Sequence, residues 1–463
     1  VSAGLSSNLA HRQWSGLVNN YYRARWEMFW EEIIADVDGT GPEFDQKAFE
    51  KRIRAFELDF GEPEHPLDWT DTPEDVYRTA CKIACELGII DKSPIAIVPE
   101  PVTAVQTTGF TLLDEGAAIY ADSPELKNLI KPFNELNAKY GARVWKSTSK
   151  EGNARLVLTT DNTLAKEAYT LDSKPMEGKI FISGGSAHGV WNGLMTVLQL
   201  TKQNPNQIHG MHIEDAPAFA YRGVHFDVCR HFFGVEDIKD YLDILAIHKI
   251  NTFHWHLTED QGWRIEIKKY PRLTEIGSVR AGSYDTNYSG EQCDVYHEGP
   301  YGGFYTQDQI REIVKYAQDR HIVTVPEIEI PGHSVAALAS YPWLGCTGGP
   351  YEVRQQWGIS KDVMCIGKET TWEFCRNVLE EVCDLFPGDM VHIGGDEAPR
   401  EKWAECPDCQ ALMKKEGMTS EAQLQSYITS KVEEFLATKG KHIIGWDEGL
   451  EGGVSKSCVG MSW

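Results

Sequence analysis

From about residue 221 onward, short strand-like runs alternate with amphipathic helical segments, and this alternation constrains the fold more tightly than any other feature of the chain. The runs are 222–228 (RGVHFDV), 251–257 (NTFHWHL), 322–328 (IVTVPEI), 390–395 (MVHIGG), 442–447 (HIIGWD) and 458–463 (CVGMSW). Between them apolar residues recur at helical spacing. One segment carries Ile238, Tyr241, Leu242 and Leu245. A second opens at Thr306, with Gln309 placed to complete a capping box, and should bury Ile310, Ile313, Val314 and Ala317. A third ends at Gly440 after Leu424, Ile428, Val432 and Phe435. Strands separated by helices pair in parallel beneath those helices. An open doubly wound sheet and a closed (β/α)8 barrel both satisfy the pattern.

The distribution of polar residues favours the barrel. They crowd the C-terminal ends of nearly every run: Asp227 and Arg230, His256 and Glu259, Glu327 and Glu329, Asp396 and Glu397, Trp446 and Asp447, and Trp463. Barrel enzymes build sites from many strand ends, whereas an open sheet concentrates them at one switch point. The expected fold class is therefore α/β, with a TIM-barrel catalytic domain over 215–463. About six of its eight strands are visible, which implies unpaired edges. The chain starts at Val1 without a basic-then-apolar signal segment and stops at Trp463 directly after a strand-like run. We therefore expect a piece of a longer protein.

Two regions precede the barrel. Residues 1–92 read as helical: Trp14, Leu17, Val18 and Tyr21 share a helix face, and Ile53 and Phe56 continue the pattern in a second segment. Thr72-Pro73-Glu74-Asp75 is a strong helix start. A boundary falls near Ser93-Pro94. Residues 93–214 read as a small α/β domain, with strands at Ile95–Val98, Leu156–Leu158 and Ile180–Ile182. A helix follows the Gly184-Gly185-Ser186 turn and runs to about Leu200.

The 463 residues carry a net charge of −24, which argues against nucleic acid and anionic membranes as partners. No stretch approaches the roughly 18 to 20 apolar residues of a membrane span. The 14 Trp and 18 Tyr suit stacking on pyranose rings, although aromatic side chains are more often core. There are 11 cysteines. Cys406 and Cys409 form a C-P-D-C pair with no matching second pair, which argues against zinc. Cys346 and Cys365 are spaced to bridge across a loop, but spacing alone does not establish a bond.

The run His392-Ile393-Gly394-Gly395-Asp396-Glu397 holds the sharpest chemistry. Its glycines allow a tight turn at a strand exit, which leaves two adjacent carboxylates at the mouth. Like charges in a poorly solvated site do not both ionise easily, so one becomes a proton donor beside a fixed anion. An ordinary acidic helix start after a glycine turn fits the same residues. His254 and His256 share a strand face. With His333 and Asp396 they compose the rival reading, a metal-dependent hydrolase. The alternative for both histidines is a hydrogen-bonded place in the core. His333, in the turn Pro331-Gly332-His333, stands where it can tune a carboxyl.

At this point the ordered motifs RGVHFDVCRHFF (222–233), HKINTFHWHLTEDQGWRIEIKKYP (248–271), VPEIEIPGH (325–333), HIGGDEAP (392–399) and GWDE (445–448) become recognisable. Residues 220–463 resemble the catalytic domain of glycoside hydrolase family 20, the β-N-acetylhexosaminidases. Residues 95–214 are similar to the small domain that precedes this barrel. Residues 1–92, above all AHRQWSGLVNNYYRARW (10–26), resemble the C-terminal helical part of family 89 α-N-acetylglucosaminidases.

The resemblance implies an exo-acting, retaining enzyme that removes terminal β-linked GlcNAc or GalNAc by substrate-assisted catalysis, with no cofactor. It assigns Glu397 as general acid and base, Asp396 as the holder of the acetamido N–H, and Arg230 as the clamp on sugar hydroxyls. Trp446 and Trp463 become walls of the acetamide pocket, and His333 a relay that tunes Glu397. The relay usually ends in an Asp at the position of Glu259, so Glu259 is a departure and Asp260 a substitute for it. A non-catalytic glycan-binding module remains a third reading. The family's pocket tyrosine, a further tryptophan and a hydroxyl-binding acid would lie beyond Trp463, so a chain ending there is expected to be weakly active or inactive. The substrate class implies a periplasmic or secreted location. Oligomeric state is not legible.

Overall fold

The computed structural model describes residues 96–285, 295–450, 453 and 457–462. The helices expected over 1–92, the residue Ile95 and the pocket residue Trp463 lie outside the described residues. The chain divides into two compact units, one ending at Ala218 and the other running from Phe219.

The described part of the first unit is a seven-stranded mixed sheet. Its strands are β1 (Thr103–Leu112), β2 (Ala118–Ala121), β3 (Lys146–Ser147), β4 (Leu156–Thr160), β5 (Tyr169–Lys174), β6 (Lys179–Gly184) and β7 (Gln207–Asp215), in the order β1-β7-β5-β6-β4-β2-β3. Two longer helices, α1 (Ile130–Lys139) and α2 (Ala187–Gln203), accompany it, after a single helical turn at Pro124–Lys127. Ser186 caps α2 by accepting from the His188 N–H, and the helix packs a largely buried surface on β4, β5 and β6. The expected strands at 156–158 and 180–182 are present as β4 and β6. Residues 96–98 of the strand expected at Ile95–Val98 are irregular. Pro99 and Pro101 follow directly, and proline has no N–H for a ladder.

In the second unit all six expected barrel strands form: β8 (Gly223–Asp227), β9 (Thr252–His256), β14 (Val323–Glu327), β15 (Met390–His392), β16 (His442–Trp446) and β17 (Val459–Met461). Two short antiparallel pairs fall between β9 and β14. They are β10 (Thr258–Glu259) with β11 (Gly262–Trp263), and β12 (Val279–Asp285) with β13 (Val295–Gly302). The six main strands are all parallel and stand in chain order, β8-β9-β14-β15-β16-β17. A doubly wound sheet would reverse its order at a switch point. Monotonic order with a curled sheet is the course of a (β/α) barrel.

The three covering helices that the spacing predicts form as α3 (Val235–Ile247), α4 (Gln307–Gln318) and α9 (Glu421–Thr438). Four more, α5 (Val335–Ser340), α6 (Glu369–Leu385), α7 (Glu401–Glu405) and α8 (Pro407–Glu416), lie between α4 and α9 in the chain. The Thr306–Gln309 capping box starts α4, and Ile310, Ile313, Val314 and Ala317 are buried. Burying side chains of the Ile and Val kind contributes about 1.5–3 kcal/mol each. In α9, Leu424, Ile428 and Val432 are buried as expected, and only the last position differs, Leu436 being buried and Phe435 half-buried.

Strand parity separates core from site. Phe226, Phe253 and Trp255 pack among aromatic rings, Phe226 stacking on Tyr241 of α3 at 4.5 Å between centroids. Their neighbours in sequence form a polar rung. Parallel register places Asp227 beside His256, His256 beside Glu327, and Glu327 beside His392. Among the described residues no helix is long and apolar enough to cross a membrane.

Candidate active site

The rung ends at the C-terminal edge of the sheet, where the expected catalytic residues gather. β15 stops at His392, whose Nδ1 accepts from the Gly394 N–H at 3.0 Å. Gly394 and Gly395 adopt φ of 63° and 97°, turning the chain sharply. Gly394 has no room for a Cβ, because the Glu329 carboxyl lies where that atom would be. The turn delivers Asp396 and Glu397, whose side chains are 16% and 27% exposed. Their backbone is fixed on both sides: Gln425 donates to the Gly395 carbonyl at 2.6 Å, and Glu448 accepts from the Glu397 N–H at 2.9 Å.

Glu397 and His333 both hold left-handed backbone, with φ of 43° and 45°. Residues bearing side chains occupy that region at a cost and concentrate at functional sites. His333 sits between three carboxylates. Its Nδ1 hydrogen-bonds Glu259 Oε1 at 2.7 Å, and its Nε2 lies 3.3 Å from Glu397 Oε2 and 3.7 Å from Asp396 Oδ2. Burial opposes an imidazolium here, but the Glu259 carboxylate outweighs it and pushes His333 up to about 9.

Glu259 thus reaches His333 despite its extra methylene. Asp260 does not share that bond. Its Oδ1 accepts from the Val335 N–H at 3.0 Å and its Oδ2 pairs with Arg354 at 3.1 Å. Burial, followed by the neighbouring Glu259 charge, raises Asp260 to about 6. The other Glu259 oxygen lies 3.0 Å from Arg230, which also donates to Asp227 at 2.9 Å. A third of the Arg230 side chain remains exposed. Two buried arginines fix the backbone beneath it: Arg264 donates to the carbonyls of Val228 and Cys229, and Arg280 to that of Arg230.

Glu327 is a hub that the sequence reading noted only as a strand-end acid. His254 Nε2 and His256 Nδ1 each lie 2.8 Å from its Oε2, and Trp446 donates to its Oε1 at 2.9 Å. His225 adds a further contact at 3.3 Å. Burial penalises the Glu327 charge, but the surrounding histidines hold its carboxyl well below the usual range. Both histidines of the rival metal reading contact Glu327, and His256 Nε2 also lies 3.3 Å from Glu259 Oε2, while His333 hydrogen-bonds the other Glu259 oxygen. Glu329, also buried, is pushed well above the usual range by burial and then by the Asp396 and Glu327 charges. Its signal in the sequence was the Glu-Ile-Glu alternation, which puts two acids on one side of the chain. Asp396 is raised as well, first by burial, and its Oδ1 is buried without a hydrogen-bond partner in the protein.

The fold and this cluster together define a barrel protein whose acidic groups converge at the C-terminal mouth. Residues 219–463 match the family model "Glycosyl hydrolase family 20, catalytic domain", residues 94–216 match "Glycosyl hydrolase family 20, domain 2", and residues 5–84 match "Alpha-N-acetylglucosaminidase (NAGLU) C-terminal domain". The chain belongs to glycosyl hydrolase family 20. A β-hexosaminidase of Porphyromonas gingivalis is 44% identical over 80% of this chain and 47% of its own length. The exo β-N-acetylglucosaminidase of Vibrio harveyi, solved with N-acetylglucosamine, is 34% identical with a TM-score of 0.69, over 79% of this chain and 57% of that one. The N-acetyl-β-hexosaminidase of Streptomyces plicatus is 31% identical with a TM-score of 0.66, over 80% and 69%. The chain spans about half the length of the curated relatives it matches.

Proposed function

We propose that this chain carries the catalytic apparatus of an exo-acting, retaining β-N-acetylhexosaminidase acting on terminal β-linked GlcNAc or GalNAc. The observation that carries the reading is the Asp396–Glu397 pair. One buried Asp396 oxygen lacks a donor, and Glu397 lies against an imidazole held protonated. A buried carboxylate oxygen calls for a hydrogen-bond donor, and the acetamido N–H of the sugar supplies one.

In the first step the acetamide oxygen attacks C1, the bond from C1 to the leaving oxygen breaks, and Glu397 gives its proton to that oxygen. Asp396, holding the N–H, stabilises the positive oxazolinium. In the second step water attacks C1, Glu397 takes its proton, and the amide re-forms with the configuration retained. The nucleophile is already attached to the sugar, so the protein's main task is to hold it in register. His333, oriented by Glu259, stabilises the ionised form of Glu397 between the steps. The open side of Arg230 binds ring hydroxyls of a terminal residue. Trp446, fixed by Glu327, and Trp463 wall the acetamide. We further propose a periplasmic or secreted location, where polymeric glycans are met.

The test is hydrolysis of an aryl β-GlcNAc and the matching aryl β-glucoside by the full-length protein. Cleavage of the first with retention, and none of the second, is expected. Equal rates on both would overturn the mechanism, because the glucoside has no amide to attack with.

A further inference from the structure

Beyond the strand ends, four cysteines from separate segments of the chain converge. Cys346 follows the short 3-10 turn Pro342–Leu344, Cys365 follows an antiparallel bridge between Gly345 and Met364, and Cys406 and Cys409 bracket the start of α8. The second pair that C-P-D-C lacks in sequence is supplied in space. It escaped the sequence reading because Cys346 and Cys365 are 19 residues apart, outside any short zinc motif. All four thiols are free, so Cys346 and Cys365 do not bridge across their loop. Their Sγ atoms lie within 4.8 Å of one another. Cys365 is 3.6 Å from both Cys406 and Cys409, and Cys346 is 4.0 Å from Cys409.

We propose that these four thiolates bind a structural zinc ion. With Zn–S near 2.3 Å, a tetrahedral site separates its sulfurs by about 3.8 Å, the spacing found here. A disulfide needs about 2.0 Å. All four positions belong to protein sulfur, which is the closed coordination of a structural site and leaves no place for a reacting water. Three of the cysteines are buried and Cys346 is half-buried.

The surroundings suit a tetrathiolate. Gly367 has no room for a Cβ because the Asp408–Cys409 backbone passes against it, so this turn runs close beside Cys409. Cys406 is the N-cap of α8, at the positive end of the helix. Lys368 donates to the carbonyls of Gly345 and Trp343 beside the cluster. Both offset the two negative charges left when one Zn²⁺ meets four thiolates, whose protons are released to solvent on binding.

The ion would tie two catalytic loops together. Met364, next to Cys365, donates its N–H to the Pro331 carbonyl, two residues before His333. The buried Trp403 donates to the Met364 carbonyl from the segment that follows Glu397.

The test is the metal content of the full chain purified without chelator, by mass spectrometry. About one zinc per chain is expected, and it should be retained in Cys458→Ser and lost in Cys409→Ser. In case Cys409→Ser fails to fold, the wild-type chain is reconstituted with Co²⁺. The visible absorption bands and the sulfur-to-cobalt charge transfer of a tetrahedral thiolate site are expected. Wild-type protein that holds neither zinc as purified nor cobalt after reconstitution overturns the site, as does a mass showing disulfides among these four residues. Iron in place of zinc overturns the choice of ion.

Discussion

Glu259 Oε1 accepts a 2.7 Å hydrogen bond from His333 Nδ1, although a glutamate stands where the family usually has an aspartate. The longer side chain is accommodated because its other oxygen is held by Arg230 at 3.0 Å. Glu259→Gln removes the charge that keeps His333 protonated. We expect kcat/KM to fall by about 100-fold and the alkaline limb of its pH profile to move to lower pH. Glu259→Asp keeps the charge and should lose less, roughly 10-fold. A Gln variant with an unmoved profile would remove Glu259 from the relay.

His333 also makes stability depend on pH. Its folded value of about 9 lies above the ordinary 6.5. The stability it contributes is therefore fully present below pH 6.5 and is lost as pH rises through about 9. The gap corresponds to roughly 3 kcal/mol at most. Thermal melts across that window should show wild type losing stability more steeply than His333→Gln. Parallel slopes for the two proteins would contradict the assignment.

Glu397→Gln should lower kcat by about 100- to 10,000-fold, with a smaller loss on aryl glycosides whose leaving group needs little protonation. Asp396→Asn should cost nearly as much regardless of leaving group, because the amide nucleophile is no longer held. Steady-state rates on two aryl β-GlcNAc substrates separate these patterns. An Asp396→Asn variant with near-normal kcat would refute its role.

Gly394→Ala strains the site on two counts. The backbone sits at a φ of 63°, and the new methyl meets the Glu329 carboxyl. The left-handed conformation alone costs about 1–2 kcal/mol for a residue with a Cβ, so a lower melting temperature and loss of activity are expected together. A variant that melts like wild type would mean that the turn is more pliant than drawn.

Trp446→Phe keeps an aromatic ring, though a smaller one, and removes the donor to Glu327. Leaving that buried carboxylate short of a partner should cost about 1–3 kcal/mol. Denaturant titration measures this, and KM for the aryl β-GlcNAc should rise at the same time. No change in either quantity would mean that the indole N–H is dispensable.

The second unit was largely legible in the sequence because its strands are apolar and its helices carry helical periodicity, as in Ile310, Ile313, Val314 and Ala317. The first unit was less so. The strand Gln207–Asp215 mixes buried Ile208, Gly210, Met211 and Ile213 with histidines and acids without strict alternation, and its membership depends on antiparallel partners far away in sequence. The site residues could be named singly from the ends of strands. The Glu327 hub could not, because it depends on lateral register: Asp227, His256, Glu327 and His392 become neighbours only when four strands align. The cysteine cluster was hidden for the same reason, its members being joined by loops rather than by a short spacing.

The left-handed backbone at His333 and Glu397 bears on how the site is assembled. Each conformation persists only because the packing around it permits no easy alternative, so the two side chains acquire their separation as the barrel forms, before any ligand arrives. The site is then already in shape, and little loop motion should accompany docking of a ligand. The same rigidity means that warming should erase the site in one step with the barrel, with no earlier fraying of its rim.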